Sequence, residues 1–256
     1  MSSLSFDRAA DFYDATRGLP TDIGDALTDL LAQELEGRRS CLEIGVGTGR
    51  IALPLSGRGV RLTGTDLSES MLRRLVQNAG NRLPFPLLIA DTTDLPLEDG
   101  AVDAVLASHV LHLIPGWRAA VDEALRVLGP RGALLVDFGG TPPAPWHEWS
   151  RRVLGEHDIV RLRPGVSTAE NVSEYLGERA RTRALPPLKM VVRRSLGQDI
   201  DAWERQVHSW TWPYRADEIR TACAAIRASA EGAGWPLDEE VGIDWTIQWW
   251  AFDRAD

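Results

Sequence analysis

Between Arg39 and Gly140 short apolar runs alternate with amphipathic stretches, a pattern that leaves little room for anything but a parallel sheet with helical crossovers. The runs predict strands at 40–44, 61–65, 85–89, 102–107 and 133–138. Ser68 is a suitable N-cap for a helix over 69–78, and Pro115 precedes one over 117–128 that Gly129-Pro130 is expected to stop. Upstream, Ile23, Leu27, Leu30, Leu31 and Leu35 recur at helical spacing and predict an amphipathic helix over 22–35.

The first run, CLEIGVGTGR, ends in an acid, and Gly45, Gly47 and Gly49 then recur at every second position. Glycine suits a chain that must turn sharply and let a ligand approach its backbone. The turn should open a helix over 50–55, whose first amides can receive an anion such as a carboxylate. Nicotinamide and flavin proteins also place glycines after their first strand, but their fingerprint spaces the last two three residues apart, not two as here. Asp66 closes the second run, where a carboxylate can accept both hydroxyls of a ribose, a need common to adenosine cofactors. Asp91 closes the third, inside ADTTDLPLEDGAVDAVLASHVLHLIP.

With these segments in order, and with FDRAADFYDATRG near the start, residues 6–140 resemble the class I S-adenosylmethionine-dependent methyltransferases, in particular the ubiquinone/menaquinone-biosynthesis-like group acting on small molecules. The resemblance implies a Rossmann-like, doubly wound α/β fold with a mostly parallel seven-stranded sheet, an antiparallel C-terminal strand and a helical insertion. It implies S-adenosylmethionine as cofactor and S-adenosylhomocysteine as product. Gly45, Gly47 and Gly49 would line the methionine part, supported by Glu43, and Asp66 would hold the ribose, with Leu67 and Met71 near the adenine. Asp91 and Thr92 would face the adenine amino group, and Ser108 and His109 would stand by the cofactor. Tyr13 and Arg17 would belong to a segment closing over it.

Composition narrows the acceptor. A formal charge of −9 disfavours a nucleic-acid partner, which a basic surface would have to neutralise, and favours a small molecule. No apolar run approaches the roughly 20 residues of a membrane helix, and the first residues lack the basic leader and apolar stretch of a secretory signal. Cys41 and Cys223 suggest neither a disulfide framework nor a metal site, so a cytoplasmic protein without metal is expected, as a monomer or a homodimer.

The chain reads as a single domain over 1–256: an N-terminal lid and helix (1–38), a cofactor-binding core (39–140), a helical insertion serving as substrate lid (141–185), and strands and helices completing the sheet (186–256). Nine of the ten tryptophans lie beyond Gly140, most of them expected in a core. Alternation from Val241 to Trp249 predicts a half-buried final strand, partnered by 188–192, with a helix over 216–230 between them. The arginines at 151, 152, 161, 163, 179, 181 and 183 either select an acidic substrate or form a solvated face paired with Glu156, Glu174 and Glu178.

Methyl transfer needs no acid for its neutral thioether leaving group, so alignment alone can supply up to roughly 7–11 kcal/mol. His109 and His112 are candidates for a base toward the acceptor, or hydrogen-bonded structural histidines. Two rival functions stand beside this one: an inactive S-adenosylmethionine-binding module or sensor, and a nicotinamide-dependent oxidoreductase.

Overall fold

A computed structural model describes residues 18–140 and 142–255, so Tyr13 and Arg17 lie outside the described residues. The elements are α1 (Thr21–Glu34), β1 (Cys41–Ile44), α2 (Ala52–Gly57), β2 (Leu62–Asp66), α3 (Glu69–Asn78), β3 (Leu87–Ile89), β4 (Val102–Ser108), α4 (Trp117–Val127), β5 (Leu128–Asp137), α5 (His147–Glu156), α6 (Ala169–Leu176), β6 (Ala180–Ala184), β7 (Leu188–Arg194), α7 (Leu196–Glu204), α8 (Ala216–Ala230), β8 (Val241–Ile247) and β9 (Trp250–Arg254).

Two compact units emerge. The first takes the described chain up to Gly140 together with Pro164–Leu188 and Ile247–Asp256; the second takes Thr141–Arg163 and Lys189–Thr246. The expected 141–185 insertion is therefore split: α5 packs with the second unit, while α6 and β6 belong with the large sheet. Apolar surface explains the split. Val172 and Leu176 of α6 join the core under the sheet, whereas Val153 and Leu154 of α5 join Ile200, Trp203, Ile219 and Cys223 in a separate core.

In the first unit the sheet order is β3-β2-β1-β4-β5-β9-β6, with β1 to β5 parallel and β9 antiparallel to both β5 and β6. β1 is wholly buried and β4 nearly so, as expected of central strands covered on both faces. The order reverses at β1, flanked by β2 and β4, which makes the carboxyl ends of those strands the natural ligand site. The antiparallel strand is Trp250–Arg254 rather than the alternating 241–249 run, most of which pairs with β7 as a two-stranded sheet. The helix ahead of Gly129-Pro130 does stop, at Val127, one residue before the expected end, and both residues lie in β5.

Ser68 caps α3 as expected, its hydroxyl accepting from the Met71 amide at 3.2 Å. In the second unit Ser195 and Gln198 form a reciprocal capping box at the start of α7. Ser195→Ala should cost about 1 kcal/mol, read as a lower urea midpoint. Cys41 and Cys223 are buried free thiols, and burial pushes both up, Cys223 to about 12. No helix among the described residues is long and apolar enough to cross a membrane, and no described cluster of His, Cys, Asp or Glu has the makings of a metal site.

Candidate active site

The glycine turn leaves β1 with all three glycines at positive φ: 63° at Gly45, 55° at Gly47 and 86° at Gly49. Their reasons differ. A Cβ on Gly45 would stand 2.5 Å from Val110 Cγ2, and one on Gly49 within 3 Å of Leu53 and Leu75, so both close the turn against neighbours. A Cβ on Gly47 would meet only the Gly45 carbonyl, at 3.9 Å; here the backbone is open to approach.

Asp66, at the end of β2, reaches across to this turn. Its Oδ2 accepts from the Gly47 amide at 2.9 Å and its Oδ1 from the Ser68 amide at 2.8 Å, so one carboxylate ties the turn to the strand beside it. The Val46 amide donating to the Thr65 carbonyl and Asn78 Nδ2 donating to the Thr48 carbonyl hold the turn from the same side. The helix after the turn starts later than expected, at Ala52, and spans only six residues. Its Leu53 amide donates to the Gly49 carbonyl.

Glu43 is 2% exposed, and its Oε2 makes no hydrogen bond. Burial pushes its carboxyl up to about 8, against the pull of Arg50 and the Ala52 amide and helped by the negative charge of Asp66. A buried acceptor without a partner is costly, and a cationic ammonium group is the ligand chemistry that would satisfy it.

Ser108 and His109 end β4. Ser108 Oγ is bonded to Arg50 Nη2 at 3.0 Å. His109 has φ 53°, a left-handed backbone that a non-glycine residue adopts at a cost. Its Nε2 lies 2.9 Å from Asp137 Oδ2 at the end of β5, and a Cβ on Gly139 would stand 2.8 Å from its ring. Burial alone would raise the Asp137 carboxyl, but the His109 hydrogen bond and charge, the Gly139 amide and Arg50 outweigh it and hold it below the ordinary value. His112 sits in a short turn after β4 and contributes its carbonyl to the Gly165 amide at 3.0 Å.

The remaining expected residues fall differently. Leu67, beside Asp66, is 41% exposed and offers an apolar face, whereas Met71 is 2% exposed and packs in the core. Asp91 folds its Oδ1 back onto the amide and hydroxyl of Thr93, at 2.9 and 2.8 Å, as a turn former does; Thr92 is buried.

A methyltransferase domain model matches residues 42–136, the span that holds every one of these described strand ends except Asp137. The demethylmenaquinone methyltransferase of Clavibacter sepedonicus is 35% identical over 184 residues, 69% of this chain and 73% of that protein. The chain belongs to the class I S-adenosylmethionine-dependent methyltransferases. A malonyl-[acyl-carrier protein] O-methyltransferase of Geobacter sulfurreducens is 32% identical over 138 residues, 53% of this chain and 52% of that one. The solved YcgJ protein of Bacillus subtilis shares the fold, with a TM-score of 0.59 at 18% identity over 90% of this chain and 98% of that one.

This methyltransferase falls in the quinone-biosynthesis-like, small-molecule group. Two polar residues near these strand ends escaped the sequence reading, Arg50 and Asp137. Arg50 directly follows the glycine turn, and only the fold shows that it touches Ser108 and acts on both Glu43 and Asp137. Asp137 carries a signal of its own, an acid closing an apolar strand as Glu43, Asp66 and Asp91 do.

Proposed function

We propose that this methyltransferase holds S-adenosylmethionine on the 45–49 turn, with Asp66 accepting from the ribose hydroxyls, Leu67 against the adenine and Glu43 beneath the methionine ammonium. The observation that carries the reading is the Asp66–Gly47 hydrogen bond, which makes the acid and the open turn one rigid cradle. The cofactor supplies an electrophilic methyl group on a positive sulfonium. Asp91, Thr92 and Ser108 complete its surroundings, and Tyr13 and Arg17 belong to the closing segment. Met71 acts from below, through packing.

His109 is the base toward the acceptor, an O, N, S or C nucleophile of a small molecule in the cytoplasm. Asp137 holds the imidazole through Nε2 and stabilises its positive charge once the proton released by the acceptor has moved to the ring. Asp137→Asn keeps the shape but weakens that stabilisation. The expected result is a fall in kcat on the order of a hundredfold, with S-adenosylhomocysteine affinity unchanged and the rate regained as pH rises. A pH-independent rate equal to wild type would remove the base.

Calorimetry with S-adenosylmethionine, S-adenosylhomocysteine and NADH tests the cradle itself. The first two should bind and NADH should not; NADH binding alone would overturn the assignment.

A further inference from the structure

Among the arginines beyond Gly140, Arg151, Arg152, Arg163 and Arg181 are exposed, and Arg161 lies against the rings of Trp203 and Trp210. Arg179 bonds Asp122 and Arg183 bonds Glu34 and Asp253, not the glutamates of the neighbouring helices. Arg50 is of another kind. It stands half-buried between Gly49 and the start of α2, and its Nη2 donates to Ser108 Oγ at 3.0 Å, at the end of β4. The guanidinium makes no other hydrogen bond and no ion pair among the described residues, and its remaining N–H groups are not sealed in the interior as Glu43 Oε2 is. Its charge acts on Glu43, against the burial that raises that carboxyl, and on Asp137, yet it bonds neither acid.

A guanidinium kept only to offset those acids would pair with one of them. This one spends an N–H on a hydroxyl and keeps the rest of its planar fork, whose parallel N–H bonds match the two oxygens of a carboxylate. An α-amino acid end carries an ammonium and a carboxylate on one carbon, so a site for it needs an acid and a cation side by side. Glu43, with an acceptor that takes no hydrogen, and Arg50, with donors to spare, are such a couple. A zwitterion placed on them meets each of its charges with the opposite one, and no unpaired charge is left buried.

We propose that Arg50, anchored on Ser108, takes the carboxylate of the cofactor's methionine end, and with Glu43 selects ligands that carry an intact amino-acid zwitterion. The assignment rests on the cofactor reading above and adds a selectivity to it. Asp66 and Leu67 address the nucleoside; Arg50 tells an amino acid from a bare amine.

Calorimetry on the full chain compares S-adenosylhomocysteine with its decarboxylated form, which keeps the nucleoside, the sulfur and the amine. Wild type should bind the intact ligand at least tenfold tighter, the least that hydrogen bonds between charged groups supply. Arg50→Met should bind the two alike: the intact ligand at least tenfold more weakly than wild type does, the decarboxylated one no more weakly, since its ammonium loses a neighbouring cation. An arginine with a structural role would weaken both together. Arg50→Gln gives the same comparison where the methionine variant does not fold. Wild type binding both ligands alike, a variant that discriminates as wild type does, or a parallel loss for the two ligands would overturn the assignment. Discrimination that survives in the variants removes Arg50 alone and leaves the cofactor reading standing, whereas a wild type that binds neither ligand ends both.

Discussion

Asp66→Ala is expected to weaken S-adenosylhomocysteine binding by about a hundredfold, near 2.7 kcal/mol, while the protein stays folded. Loss of the hydroxyl contacts of a ribose accounts for about tenfold. The rest comes from the turn, because the same carboxylate holds the Gly47 and Ser68 amides at 2.9 and 2.8 Å. Hydrogen bonds to a charged acceptor are worth roughly 1.5–3 kcal/mol, and without them Gly47 is free to leave the one conformation that exposes its backbone. Asp66→Asn separates the two contributions, since its amide oxygen can keep one backbone donor. Its affinity should fall between wild type and alanine. Calorimetry on the three proteins gives the order, and an alanine variant that binds as wild type does would remove Asp66 from the cradle.

Glu43→Gln should do two opposite things. Burial holds this carboxyl protonated up to about 8 in the folded chain, against 4.5 for an ordinary glutamate. The folded state therefore binds more protons than the unfolded one throughout that window, and stability must fall as pH rises from about 4.5 to about 8. Glutamine has no such proton. The variant should match wild type near pH 4.5 and melt several degrees higher at pH 8, the shift corresponding to at most a few kcal/mol. Cofactor affinity should move the other way, dropping at least tenfold at pH 8, because the orphaned Oε2 no longer carries charge for an ammonium group. Parallel melting curves for the two proteins across that pH range would show that Glu43 is not strained. Together the two results separate a residue kept for stability from one kept for binding at stability's expense.

The glycine turn and the acids near the strand ends were legible because they obey local rules. An apolar strand ending in an acid, three glycines at positive φ and an acid closing the next strand are set by hydrophobic pattern and backbone sterics, which act between residues close together in the chain. Ser68 capping α3 and the extent of Glu69–Asn78 were equally local. Side-chain burial and hydrogen-bond partners were not legible in the same way. Met71 has the spacing of a cofactor neighbour but the burial of a core residue. Asp91 sits at a strand end yet spends Oδ1 on Thr93.

The sequence alone determined the parallel sheet, its glycine turn and the acids that end its strands, since hydrophobic period and backbone sterics act within a few residues. Only tertiary structure decided which histidine meets which aspartate, where Arg50 reaches, and that α5 and α6 part company into different cores. It alone decided that Arg161 lies against the rings of Trp203 and Trp210. Those facts depend on pairs far apart in the chain, and a long arginine has too many rotamers for its partner to be read from its neighbours.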